Sequence, residues 1–415
     1  MRGWVEKRYE TSWTIVIDLG KDKVTGERKR ITESYKVDTK DEADGILVDR
    51  MYEIKHKKYI KRDNSTFGEY LDKWLKFRQS KLAPKTYASY HNEIERHIKP
   101  VLGTVPLQDL EAMHLQEYYY KMETEGRIKP KEGKGTKKKK DVSPGLSQRT
   151  INYHHRIMSA ALKQAVKWKK IPYNPAQHVD IPTFEKKEMA FLRRDELDKF
   201  LTKIREHMDY AVIYTAVMTG MRQGEVLGLR WQDVDLDYGM INVRQQLQYL
   251  PGEGYFYKTP KSKKSVRSIP MQLPLNKMFR EIKKAQEEYR QKELEKLQDK
   301  SLGEITPEDL KAVYNDWDLV LCQLNGKPWD AGNITNRFKE LVIDFGRPEL
   351  RFHDLRHTFA ALAIAAGISM EKLQRLMGHE SITTTIDMYG HIPVDTLSEE
   401  MKKLSQYLGF DALTK

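Results

Sequence analysis

Three things are scarce in this chain, and each scarcity removes a class of protein. Cysteine occurs once, at Cys322. One thiol cannot build an internal disulfide framework, so a stapled extracellular scaffold is excluded and a reducing cytoplasm is the expected setting. Long apolar runs are missing as well. The most apolar stretch, residues 360–368, is far shorter than a membrane helix of roughly 20 residues. The opening Met-Arg-Gly-Trp-Val-Glu-Lys-Arg has no apolar region of the kind a signal peptide needs. Acidic residues also fall short: 60 Asp and Glu face 73 Lys and Arg over 415 residues, a net charge of +13. The pI near 9.3 favours a polyanionic partner, nucleic acid before a membrane surface.

What is present divides into three regions. Residues 1–60 read as a small sheet with a helix. Trp13-Thr-Ile-Val-Ile is β-rich, residues 31–37 form a second strand and residues 3–9 a third. Thr39 caps a helix carrying Ala43, Leu47, Met51 and Ile54. Lys and Arg beside Trp4, Tyr9 and Trp13 suit a sheet lying in a DNA groove, against the plainer alternative of ordinary solvated charges.

After a polar link at residues 61–65 comes a helical region, residues 64–180. Thr66 and Glu69 make a capping box, and Phe67, Leu71, Trp74 and Leu75 form one face. A second helix begins at Pro84 and is stopped by Pro100 and Gly103. A third spans residues 107–122, and a fourth runs from its Ser147 cap to Pro172. Residues 129–140 hold seven lysines, expected to be solvated and available to DNA phosphates. Residues 175–188 read as an interdomain linker.

The last region, residues 186–415, mixes α and β. An apolar helix at residues 211–218 is broken by Thr219-Gly-Met-Arg-Gln-Gly-Glu. Strands are expected at residues 240–243, 255–258 and 266–270, with Lys261 in a hairpin turn before the last. A charged helix covers residues 277–300, and one rich in Ala and Leu covers residues 355–366. The expected fold class is therefore multidomain and mainly α, with a small N-terminal three-stranded β-sheet.

Chemistry concentrates near the end. His353, Arg356, His379 and Tyr389 lie within about forty residues, and His353 and Arg356 share a face at helical spacing. Taken singly, each has a plain explanation. Arg222 with Glu225 is a surface ion pair, Lys261 one of many turn lysines, His353 a satisfied core histidine and Tyr389 one of 22 tyrosines. Together they resemble the tyrosine recombinase, or phage integrase, family, whose signature is Arg…Lys…His-x-x-Arg…His/Trp…Tyr. The matches are Thr-Gly-Met-Arg222-Gln-Gly-Glu225, Lys261 in Thr-Pro-Lys-Ser-Lys-Lys-Ser-Val-Arg-Ser-Ile-Pro, His353-Asp-Leu-Arg356, Met-Gly-His379 and Tyr389. Lys263 and Lys264 share the turn of Lys261. The resemblance covers roughly residues 186–395.

That resemblance implies a catalytic set of Arg222, Lys261, His353, Arg356, His379 and Tyr389, with Glu225 orienting rather than reacting. It implies arm-site DNA binding by residues 1–60, core-site DNA binding by residues 64–180, and catalysis by residues 186–415. It further implies a homotetramer on double-stranded DNA, with an excisionase and a host DNA-bending protein as accessory partners, and no need for metal or ATP. Tyr389 would attack a phosphorus to leave a 3′-phosphotyrosyl bond, the two arginines would hold non-bridging oxygens, His353 and His379 would add hydrogen bonds with His353 as a candidate proton acceptor, and Lys261 would protonate the leaving 5′-oxygen. A stripe of Leu397, Met401, Leu404 and Leu408 in residues 393–410 suggests a helix that docks on the next subunit. Three rivals share these residues: a type IB topoisomerase, a non-catalytic DNA-binding regulator, and a zinc site at His353-Asp-Leu-Arg-His357.

Overall fold

The computed structural model describes residues 1–21, 25–56, 59–128, 143–184, 189–259, 265–300, 314–315 and 317–389. The lysine run 129–140, the turn holding Lys261, Lys263 and Lys264, and the tail helix expected at residues 393–410 lie outside the described residues. The chain forms two compact units, Met1–Lys186 and Lys187–Lys415. No helix among the described residues is long and apolar enough to cross a membrane.

The first unit opens with an antiparallel sheet in the order β1 (Arg2–Tyr9), β2 (Ser12–Lys21), β3 (Arg28–Lys36). Helix α1 (Lys40–Lys55) follows, with the Thr39 side chain accepting from Glu42 N as its cap. One face of β2 presents Ile15 and Ile17 to Leu47 of α1. The helix lies so close that a Cβ on Gly3 would come within 2.7 Å of Leu47. Register separates the two tryptophans grouped in the sequence reading. Trp4 pairs with Val16 and Trp13 with Tyr35, so alternation puts Trp13 on the helix side and Trp4 on the open side. Trp4 there stacks under Arg30.

Four longer helices build the rest of this unit: α2 (Phe67–Arg78), α3 (Pro84–Glu93), α5 (Ala112–Glu125) and α6 (Gln148–Lys167). The Thr66–Glu69 capping box forms, and Phe67, Leu71, Trp74, Ile151, Met158 and Leu162 are buried together. Three boundaries differ from expectation. Pro100 does not stop its helix: a π-turn at Ile94–Ile98 widens the backbone, Lys99 N donates to Ile94 O, and a short α4 (Lys99–Leu102) carries on to Gly103. The third helix starts at Ala112, because Leu107–Asp109 closes a separate 3-10 turn. The fourth ends five residues before Pro172, where Lys169 turns left-handed at φ 53° and Lys170 N reaches back to Ala165 O.

The two ends of the unit's expected connectors are also tied down. At residues 59–64, the Tyr59 hydroxyl donates to Glu33, Arg62 stacks on Tyr35, and Gln108 donates to the Lys61 carbonyl. Pro175–Gln177 is a 3-10 turn with Ala176 buried, so that stretch belongs to the bundle rather than to a linker.

The second unit is centred on α8 (Tyr210–Thr219), whose Val212, Ile213, Ala216 and Val217 are buried. Around it lie α7 (Arg194–Lys203), α9 (Gln223–Leu227), the long α10 (Leu273–Lys300), α11 (Ala331–Asp344), α12 (Asp354–Ala365), α13 (Met370–Met377) and α14 (Ile382–Tyr389). The strands number five among the described residues, not three. A sheet in the order β4 (Val234–Asp235), β5 (Met240–Val243), β8 (Arg267–Pro270) stands apart from the hairpin β6 (Gln246–Leu250) and β7 (Gly254–Lys258). Strand β8 pairs with β5 and β7 with β6, so β7 and β8 are not partners in a hairpin. The physical reason is burial: Ile241 and Ile269 face the core, and direct pairing puts both there at once.

Candidate active site

Helix α8 ends in Gly220, left-handed at φ 63°, where a Cβ would strike Phe359 at 2.4 Å. The tight turn leaves Arg222 as the extended residue that begins α9, and Glu225 caps it from one turn on, accepting from Arg222 N at 2.9 Å and from Arg222 Nη1 at 2.8 Å. Glu225 is buried and takes a second guanidinium, Arg267 of β8, at 2.8 Å. Burial opposes ionisation of Glu225, but the charge and hydrogen bonds of Arg267, with Arg222, prevail and hold its pKa down at about 2. Arg267 also donates through Nε to Leu376 O at 2.6 Å, near the end of α13. Strand β8, helix α9 and helix α13 are thus fastened at one point.

Helix α12 supplies the other arginine. Arg356 is buried and donates to two backbone carbonyls, Gly220 O at 2.5 Å and Met377 O. Burial, with repulsion from Arg222 and Arg267, lowers its pKa to about 9, still cationic at pH 7. After α13 the chain turns left-handed at Gly378 and presents His379, buried, with its backbone N on Gln374 O and Nδ1 2.9 Å from Thr385 Oγ1. Burial, then the charges of Arg356, Arg222 and Arg267, push His379 down to about 4. His353 begins α12 as an exposed residue, and desolvation, then the charge of Arg356, lowers its pKa.

Tyr389 closes α14 and is 1% exposed. Its hydroxyl lies 2.7 Å from Nδ1 of His357. Burial raises the phenol to about 12 while Arg356 pulls the other way. The described residues therefore gather Arg222, Arg356, His379 and Tyr389 from four elements, with His353 at the rim. Lys261 lies outside the described residues.

Two residues at this centre were given no part in the recombinase reading of the sequence. Arg267 stands two positions before buried Ile269 on the same strand, and an arginine on the core face of a strand needs a carboxylate. His357 shares the buried stripe of α12 with Ala360, Ala361 and Ile364, where a histidine needs a partner. Its expected alternative, the zinc pairing with His353, finds Nδ1 directed at Tyr389 and Asp354 held by Arg351 at 2.8 Å. Among the described residues no group of three His, Cys, Asp or Glu is arranged to hold a metal ion.

Residues 190–394 match the phage integrase family, and residues 66–122 match its N-terminal SAM-like domain. The chain belongs to the phage integrase family. It is a site-specific DNA recombinase of the tyrosine class, the kind that integrates or excises mobile elements. Among its relatives, the ICEBs1 integrase of Bacillus subtilis is 26% identical over 97% of this chain and 100% of its own. The transposase of transposon Tn916 from Enterococcus faecalis is 26% identical over 63% of each. The fold is shared with a Tn1549 transposon integrase solved with a circular intermediate DNA (TM-score 0.63, 22% identity, 82% of this chain and 99% of that one). A lambda integrase dimer on a core site is more distant, with TM-score 0.51 and 16% identity over 92% and 93%.

Proposed function

We propose that Arg222, Lys261, His353, Arg356, His379 and Tyr389 form the DNA-cleaving centre, with Tyr389 as nucleophile. What supports this reading above all is the charge of the site. Arg222, Arg267 and Arg356 bring three cations together around the carboxylate of Glu225. Arg356 in particular has its described hydrogen bonds to neutral carbonyls, which use two of its five N–H donors and leave its charge for an anion. A backbone phosphate supplies one negative charge there, and guanidinium geometry suits its non-bridging oxygens. Glu225 orients Arg222. His353 and His379 add hydrogen bonds to the phosphate. Tyr389 attacks phosphorus, the 5′-oxygen leaves with a proton from Lys261, and the phosphotyrosyl bond conserves the energy for religation.

In the same reading, residues 1–60 hold arm sites, residues 64–180 hold core sites, and residues 186–415 carry catalysis. Four copies act together on bacterial DNA in the cytoplasm, with the segment 393–410 docking on a neighbouring subunit. An excisionase and a host DNA-bending protein set the direction. The deciding experiment replaces the nucleophile. Tyr389→Phe is expected to bind a nicked core-site duplex normally and to form no SDS-stable adduct. An adduct from the Phe variant would assign the nucleophile elsewhere.

A further inference from the structure

The six proposed catalytic residues leave a buried histidine beside the nucleophile without a task. We infer that His357 orients the Tyr389 hydroxyl and takes its proton as the phosphotyrosyl bond forms. This rests on the reading of Tyr389 as nucleophile. His357 Nδ1 is 2.7 Å from the hydroxyl, whereas Nε2 faces Asp354 Oδ1 at 4.0 Å. Asp354 is itself fixed by Arg351, which donates at 2.8 Å to Oδ1 and at 3.1 Å to Oδ2. A carboxylate on the Nε2 side favours the tautomer with its hydrogen there, which leaves Nδ1 free to accept. Nucleophile and base are within hydrogen-bond reach, and the carboxylate acts on the imidazole through its charge.

The surroundings suit both halves of the cycle. His353, with its ring 5.2 Å away, Arg356 and His379 are the neighbouring cationic or polar groups of His357, Arg351 lies behind Asp354, and Asp354 is the carboxylate that acts on it most. In DNA-free protein, burial first and then His353 and Arg356 lower His357 to about 4, so it stands neutral and ready to accept. A phosphate held by Arg222 and Arg356 offsets that repulsion and lets the imidazolium form. In this step the Tyr389 O–H bond breaks and its proton goes to Nδ1 of His357, the O–P bond forms, and the P–O5′ bond breaks. The 5′-oxygen is protonated by the general acid assigned to Lys261. Religation returns the proton from His357 to Tyr389.

The test is single-turnover cleavage of a nicked duplex spanning the joined ends of the mobile element that carries the gene, followed across pH. His357→Asn sets an amide oxygen near the Nδ1 position, so it can accept the hydrogen bond but not the proton. Both His357→Asn and His357→Ala are expected to slow adduct formation by about 10²-fold or more with DNA affinity unchanged. The acid limb of the wild-type profile should vanish with them, and 3,5-difluorotyrosine at position 389, a more acidic phenol, should restore much of the rate. Wild-type speed in His357→Asn, or a slow variant that keeps the acid limb, would overturn the proton transfer. Faster cleavage by His357→Ala would make the contact a latch. Should the variants not fold, 15N-histidine spectra of the unaltered full chain decide, read against Tyr389→Phe. An unprotonated Nδ1 facing Tyr389 is expected, and an Nδ1–H there overturns the inference. An adduct formed by Tyr389→Phe would instead sink the underlying assignment of the nucleophile.

Discussion

At the scale of single residues, this site is made of ionisable groups held away from their ordinary titration. His357 and His379 are buried and neutral, each lowered to about 4, against about 6.5 in an unfolded chain. Below pH 6.5 the unfolded state therefore binds protons that the folded state refuses. Their shared contribution is fully present above that pH and is lost as pH falls toward 4, by an order of 2–3 kcal/mol per histidine. Denaturant melts of the DNA-free protein between pH 7 and 4 should show that loss, and His379→Gln should flatten it. A melt independent of pH over this window would contradict the burial of both rings. The proposed general acid has its own signature. Lys261→Ala should slow cleavage of ordinary DNA, yet a substrate with sulfur at the 5′-bridging position should recover, since thiolate leaves without a proton. Failure of the sulfur substrate to rescue, or rescue in Lys263→Ala instead, would reassign the acid.

At the scale of elements, one glycine couples the two arginines. Gly220 ends α8 in the left-handed region and gives its carbonyl to Arg356, and two residues later the chain releases Arg222. Gly220→Ala meets both a disfavoured φ and the Phe359 ring, at 2.4 Å from the new Cβ. A stability loss of about 1–3 kcal/mol is expected, with cleavage reduced more than DNA affinity because both guanidiniums shift. Chemical denaturation and adduct rate together check it; an alanine variant with unchanged stability and unchanged cleavage would refute the coupling. Arg267 works at the same scale. By holding Glu225 and the Leu376 carbonyl at once, it joins a strand to two helices that share no local sequence.

At the scale of the molecule, the first unit divides cleanly by its cores. The sheet and α1 bury Ile15, Ile17 and Leu47, whereas the bundle's core begins at Phe67 and draws on nothing earlier. Of the contacts that tie the connecting strap, removing residues 1–60 takes away the stacking of Arg62 on Tyr35. The truncated protein should therefore fold, cleave an isolated core site, and lose affinity for arm-site DNA. Gel-shift titration on arm-only duplex is the measure, and equal affinity with and without residues 1–60 would remove the proposed role from the sheet.

What the sequence determined by itself was whatever rests on local rules. The Thr39, Thr66 and Ser147 caps and the strands around Ile15 and Ile269 follow from short-range chemistry and spacing, whereas the set Arg222, His353, Arg356, His379 and Tyr389 was legible through its resemblance to the tyrosine recombinase signature. Helix ends were less legible, because a π-turn before Pro100 and a left-handed Lys169 are backbone adjustments that composition does not announce. The pairing of β8 with β5, and with it the surroundings of Arg267, depended on which apolar face reached the core. His357 shows the limit most plainly. Its place on the buried stripe of α12 could be counted from the sequence, but a partner 32 residues away could not. Only folding brings α14 against α12, since a buried imidazole and a buried phenol each need a hydrogen bond and each is the nearest group that can supply it.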